Sequence, residues 1–320
     1  MILAADLGGT QSRLLLAEQR GGTLQPLRQT TLPSRHYSSV EALLEDFLQS
    51  EKPDCACIAA AGPVAGNRIQ LTNLPWQLDA LRIAQQFGIP RVHLLNDFTA
   101  QTFALPYLQP HQLCALQPGT RDAQGTRALI GAGTGLGMAL LAGDLLQPLA
   151  LPSQGGHADF APQDEQQIEL LRYLLPEYGR VSLELLLSGR GITRLYAFLD
   201  RMPLNHPDLP DAHGISLAAE AGDALADQTL RLFARLYGAA AGNLALTGMA
   251  SGGVYLSGGI APKMLPYLQQ PDVLEAFCHK GPMQSLLESI ALNVVLDEYL
   301  GLHGAARLAA RLERGAGEAT

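Results

Sequence analysis

Two glycine-rich turns and an acid at the end of an apolar run are the parts of this sequence best suited to moving a phosphate. Asp6-Leu7-Gly8-Gly9-Thr10 follows the apolar residues 2–5, and Gly131-Ala132-Gly133-Thr134-Gly135-Leu136-Gly137 follows residues 128–130. Each precedes a second apolar run, residues 13–17 and 138–142, so each reads as the tip of a β-hairpin. Glycine at such tips lets the backbone take φ > 0 and turns bare N–H groups toward a phosphate. Two such turns suggest two jaws on one nucleotide.

Three further groups stand where an enzyme needs polar side chains. Asn96-Asp97 ends the buried run 91–95, and open α/β sheets place ligands at the carboxyl ends of their strands. Asp97 can serve as a base, or can cap the segment 98–105 by accepting backbone N–H bonds, and the sequence leaves both open. Gly155-Gly156-His157-Ala158-Asp159-Phe160 reads as a ligand loop. Glu184, just after Ser182, stands at a helix start, where a carboxylate is also a routine stabiliser. In Ser251–Ile260, glycine pairs bracket a strand and permit close approach by a flat ligand such as adenine.

The elements that must position these groups alternate. Helical spacing over 40–48 leads to a strand at 55–61, and a helix over 78–87 stops at Gly88 and Pro90 before the strand that ends at Asn96. That order implies an α/β layer. The stretch 106–125, rich in Pro, Gln and Gly, lacks periodicity and marks a boundary. Beyond it the second glycine hairpin is followed by helices over 165–175, 182–187, 192–199 and one long helix over 217–246, then strands at 253–257 and 293–296. A last helix, about 300–312, is expected to return to the first domain, which is short of helix on one side. The domains are therefore 1–108 completed by 298–320, and 109–297. The paired glycine hairpins hint at a duplicated plan.

The 320 residues are 47% hydrophobic and 16% charged, which suits a globular enzyme of about two domains. A net charge of −8 with no basic run argues against nucleic acid and anionic membrane surfaces as partners. Cys55, Cys57, Cys114 and Cys278 lack metal-ligand spacing, and Cys55 and Cys57 share one strand face as idle thiols, as in a reducing cytoplasm. No leader precedes Ile2 and no apolar stretch reaches membrane-spanning length, so a soluble, cytoplasmic chain is expected.

Taken in order, DLGGT, Gly62-Pro63-Val64, Leu71-Thr72-Asn73, LLNDF, GAGTGLG, GGHADFAP, VSLELLLSG, GNLAL and GGVYLSGGI span nearly the whole chain, and the set resembles the bacterial glucokinases. The resemblance implies a two-domain actin-like ATPase (ribonuclease H-like) α/β fold, with nucleotide and sugar in the interdomain cleft. It implies ATP-dependent phosphorylation of glucose at its 6-hydroxyl, with Asp97 as the general base. Asn96, Gln154, His157 and Glu184 would hold the other hydroxyls. Gly8, Gly9, Thr10, Gly133, Thr134 and Gly135 would cradle the phosphates of ATP, Asp6 would stand near Mg²⁺ directly or through water, and Gly258 and Gly259 would border the adenosine. A homodimer is also implied.

One position departs from the pattern. Where the family typically carries Glu two residues before the Gly156-His157 pair, this chain has Gln154, whose amide gives up about 1–2 kcal/mol of charge-assisted hydrogen bonding. A kinase for another hexose or an amino sugar is therefore an alternative. A sugar- and nucleotide-binding sensor without catalysis is another, and Asp97 argues against it. The zinc-binding cysteines of the related repressor group are absent, and no helix-turn-helix precedes the first strand.

Overall fold

A computed structural model describes residues 1–21, 23–120, 122–144 and 147–314. Residues 315–320 of the expected first domain, and Arg121 of the expected boundary stretch, lie outside the described residues. The chain divides into two compact units, one of Met1–Leu108 joined by the chain from Asp297, the other of Gln109–Leu296.

The first unit runs β1 (Ile2–Leu7), β2 (Gln11–Arg20), β3 (Thr23–Pro33), α1 (Val40–Leu48), β4 (Cys55–Ala60), β5 (Val64–Ala65), β6 (Arg68–Gln70), β7 (Gln77–Asp79), α2 (Ala80–Phe87), β8 (Arg91–Asn96) and α3 (Asp97–Thr102). Its main sheet has the order β3-β2-β1-β4-β8. The antiparallel meander β1–β3 is joined on one side by the parallel strands β4 and β8. Side chains alternate across the pleat, so a central strand that is apolar but for Asp6 needs a cover on each face. Leu3, Ala5 and Leu7 pack with Val40, Leu43, Leu44 and Ile83 of α1 and α2. Ile2, Ala4, Cys55 and Cys57 point the other way, where Leu302, Ala305 and Ala309 of the final helix cover them.

The second unit runs β9 (Leu113–Gln117), β10 (Arg127–Ala132), β11 (Leu136–Ala142), β12 (Leu149–Ser153), α4 (Glu165–Tyr178), α5 (Leu183–Leu186), α6 (Gly189–Leu199), α7 (Ala212–Glu220), α8 (Ala224–Gly248), β13 (Val254–Ser257), α9 (Leu265–Leu268), α10 (Pro271–Cys278), α11 (Gln284–Ser289) and β14 (Leu292–Val295). The helix α12 (Leu300–Arg314), which covers the first sheet, comes after it in sequence. The sheet order is β12-β11-β10-β13-β14-β9. An antiparallel meander β10–β12 beside parallel strands β13 and β14 repeats the plan of the first sheet. The duplication hinted at by the glycine hairpins is thus present in topology.

Two expectations are corrected. The long helix over 217–246 is two helices, because Gly222 adopts φ +92° and Asp223 then starts α8, its carboxylate accepting the Ala226 N–H at 2.7 Å. A left-handed residue followed by an N-cap ends one helix and begins another. Within 106–125, β9 forms an edge strand antiparallel to β14.

Candidate active site

In the first unit the carboxyl ends of β1, β4 and β8 carry the residues of interest. Asp6 is on the last turn of pleat in β1, Gly8 and Gly9 follow it, and Asn96-Asp97 joins β8 to α3. Asn96 is the cap of α3: its Oδ1 accepts the Phe98 N–H at 3.1 Å and the Thr99 N–H at 3.3 Å. That leaves Asp97 as the first helical residue. Asp97 Oδ1 accepts from Asn96 Nδ2 at 2.8 Å and from the Phe98 N–H at 2.9 Å, while Oδ2 has no hydrogen bond among the described residues. Burial pushes the Asp97 carboxyl above its ordinary range against the pull of these donors. A carboxyl raised in this way takes up a proton more readily than a free one.

Asp6 is raised further, to about 6, first by burial and then by the charge of Asp97, with Arg13 pulling the other way. Arg13 faces Asp6 across the β1–β2 ladder, its Nη1 4.0 Å from Asp6 Oδ2, and its guanidinium lies 5.1 Å from the centre of the Tyr299 ring. On α12, Gly301 stands so close that a β-carbon there would lie 2.6 Å from Asp6 Oδ2. Two carboxylates within electrostatic reach and only partly neutralised make a hard, oxygen-rich environment that suits Mg²⁺.

The first glycine turn is braced from behind. Ser34 Oγ donates to the Gly8 carbonyl at 2.7 Å, and the Ser34 N–H bonds the Thr10 carbonyl at 3.0 Å. Thr10 itself is exposed. The glycines do not use the left-handed backbone expected of them. Their need is close approach: a β-carbon at Gly8 would meet the Gln11 carbonyl oxygen at 2.7 Å, and one at Gly9 would meet Asn73 Cβ at 2.7 Å.

In the second unit Gly133, exposed Thr134 and Gly135 form the tip between β10 and β11, closed by the Gly133 N–H on the Gly135 carbonyl at 2.8 Å. Glu184 reaches this tip, and its Oε2 accepts the Leu136 N–H at 2.9 Å. Its other oxygen lies 3.8 Å from His157 Nδ1. The loop carrying His157 is pinned to the strand-like run before α5: Arg180 donates to Asp159 Oδ1 at 2.6 Å and to the His157 carbonyl at 2.8 Å. Gly258, in the left-handed region at φ +83°, packs on Ala132, where a β-carbon would sit 2.5 Å from the carbonyl oxygen. Gly259 follows it into open space. Hence Gly133–Gly135, His157, Glu184 and Gly258-Gly259 gather at the carboxyl ends of β10 and β13. Gln154 is exposed on the same short turn as His157, held there by its carbonyl, which accepts the His157 N–H at 2.9 Å.

Several supports escaped the sequence. Tyr237 is fully buried in α8; its hydroxyl accepts the Ala132 N–H at 3.2 Å and faces the carbonyls of Ile130 at 3.0 Å and Ser257 at 3.3 Å. It ties β10 to β13 directly beneath the glycine tip, and burial pushes its phenol far above the usual range. Ser34 and Arg13 carried no signal, whereas Gly301 and Gly304 at helical spacing mark a face pressed against other groups. Asp6 is the metal candidate, and among the described residues no cluster of three or more metal-ligating side chains occurs.

Two sheets of one plan, each with a glycine turn and polar side chains at the carboxyl ends of its parallel strands, define a sugar kinase of the actin-like ATPase fold. The glucokinase family model matches residues 3–312, so the chain belongs to the glucokinase family. Glucokinase of Trichormus variabilis is 39% identical over 340 aligned residues, covering 98% of this chain and 99% of that one. A crystal structure of glucokinase from an Antarctic psychrotroph superposes with a TM-score of 0.88 at 33% identity, over 97% of this chain and 98% of the other. A ROK family glucokinase from Streptomyces griseus, solved with glucose and AMPPNP, shares the fold at a TM-score of 0.61 and 19% identity, over 97% and 99% of the two chains.

Proposed function

We infer that this chain transfers the γ-phosphoryl group of ATP to the 6-hydroxyl of glucose. The observation that carries the reading is full-length similarity to glucokinases together with Asn96-Asp97 at the end of β8. Phosphoryl transfer asks for positioning, neutralisation of phosphate charge and a group that orients the attacking hydroxyl. Asp97 Oδ2 supplies the last: it accepts the hydroxyl proton, while Oδ1 stays fixed by Asn96 and the Phe98 N–H. Asn96, Gln154, His157 and Glu184 hold the remaining sugar hydroxyls.

Gly9, Thr10, Thr134 and Gly135 offer backbone N–H and hydroxyl donors to the phosphates, Gly8 and Gly133 hold the shape of the two turns through their own N–H bonds to the Gln11 and Gly135 carbonyls, and Gly258-Gly259 borders the adenosine. The half-buried Asp6 carboxylate fits Mg²⁺, which takes few protein ligands beside phosphate oxygens and water. Bound there, Mg²⁺ would neutralise phosphate charge. We also place the enzyme in the cytoplasm as a homodimer serving sugar breakdown; sedimentation tests the dimer.

ADP release measured with Mg-ATP and a panel of sugars tests the function. Glucose should give the highest kcat/KM, and a clear preference for another sugar would overturn the choice of glucose. Gln154 favours that second reading, because an amide replaces the expected carboxylate at a sugar-facing position.

A further inference from the structure

Both segments assigned to the sugar are built on the turn assigned to the phosphates. Glu184 Oε2 accepts the Leu136 N–H at 2.9 Å, and Ser188 donates its hydroxyl to the Glu184 carbonyl at 2.8 Å. The Gly189 N–H, at the start of α6, bonds the Gly133 carbonyl at 2.9 Å. From the other side Gly156 presses on the Leu136 carbonyl, where any β-carbon would clash. Gly135 has no side chain because Glu184 occupies that space: a β-carbon would fall 2.5 Å from Oε2.

We propose that Gly135 and the Leu136 N–H position Glu184 for the sugar, so that the acceptor site and the phosphate turn form one mechanical unit with reciprocal coupling. The inference rests on the functional reading above and deepens it. One carboxylate oxygen is committed to the turn and the other faces His157, so the sugar-facing oxygen can be aimed only while the turn keeps its shape. By linkage, a sugar that fixes Glu184 also fixes the Leu136 N–H, and each ligand strengthens the other.

The test uses the full chain and calorimetric binding, without turnover. Gly135→Ala displaces Glu184 and should raise the glucose Kd at least about tenfold with no nucleotide present, the loss expected for a charged hydrogen bond. Thr247→Ala, at an exposed position on α8 outside the turn, should leave the glucose Kd unchanged. Reciprocally, Glu184→Ala should weaken AMPPNP binding in Mg²⁺ buffer with no sugar present. That arm stands even if Gly135→Ala does not fold. An unchanged glucose Kd in folded Gly135→Ala, or unchanged AMPPNP binding in Glu184→Ala, overturns the coupling and leaves the proposed function intact. A wild-type chain that binds no glucose overturns the functional reading and the coupling with it.

Discussion

Asp97 stands where burial and hydrogen bonding pull against each other, and burial wins. A raised folded pKa means that the protonated form is favoured by the fold. Its contribution to stability is full below the ordinary value of 3.8 and is lost as pH rises through the raised value. Asp97→Asn keeps an acceptor for the Phe98 N–H and removes the half-buried charge. Its Tm should exceed that of the wild type at about pH 7.5 and converge with it near about pH 4, while kcat falls by about 10²–10⁴. Calorimetry across pH and steady-state kinetics check the two halves, and a variant less stable at neutral pH would show that the carboxylate is structural. Gln154→Glu argues in the opposite direction, adding charge at an exposed position without an internal partner. It should lower the glucose KM about tenfold with little change in Tm, as read from sugar titrations of the purified variant.

Elements place these residues by rules that differ in how plainly they show in sequence. Strands β1, β4 and β8 were readable because an apolar run bounded by turn residues has few other uses, and α1 because Val40, Leu43, Leu44, Phe47 and Leu48 keep helical period. Strands β5–β7, of two or three residues each, are too short for any period to register. The break between α7 and α8 was hidden because Ala-rich sequence runs through it, and only the φ of Gly222 settles it. In the site, residue types were legible and supports were not. A glycine announces that something comes close, but not that Glu184 is what comes close to Gly135. Tyr237 illustrates the same gap, since a tyrosine in a long helix reads as core until its hydroxyl is found between β10 and β13. Tyr237→Phe removes the partner of the buried Ala132 N–H and should cost about 1–3 kcal/mol. Denaturant midpoints at unchanged m-value check this, and a neutral result would mean that the ladder heals without the hydroxyl.

At the scale of the molecule, the chain leaves its first unit, builds the second and comes back. The return is anchored at both ends: the Arg13 guanidinium lies over the Tyr299 ring just before α12, and the Met1 ammonium donates to Glu313 at 2.8 Å near its end. Arg91 further donates to the Leu312 carbonyl at 2.6 Å. Between these anchors Leu302, Ala305, Ala306, Ala309 and Ala310 cover Ile2, Ala4, Leu15 and Cys57. One leucine and four alanines buried on each other's neighbours contribute roughly 5 kcal/mol, which is comparable to the whole stability of a domain, about 5–15 kcal/mol. The same helix presses Gly301 on Asp6 and Gly304 on the Ala100 carbonyl in α3, so the cover also shapes the ground under both carboxylates. A chain ended at residue 298 should therefore lose protection over residues 1–108 in limited proteolysis while residues 109–296, whose core is their own, stay resistant. Mass spectrometry of the fragments distinguishes the outcomes. Equal protection of residues 1–108 with and without α12 would mean that the sheet can close that face by other means, and that the two carboxylates do not depend on the end of the chain.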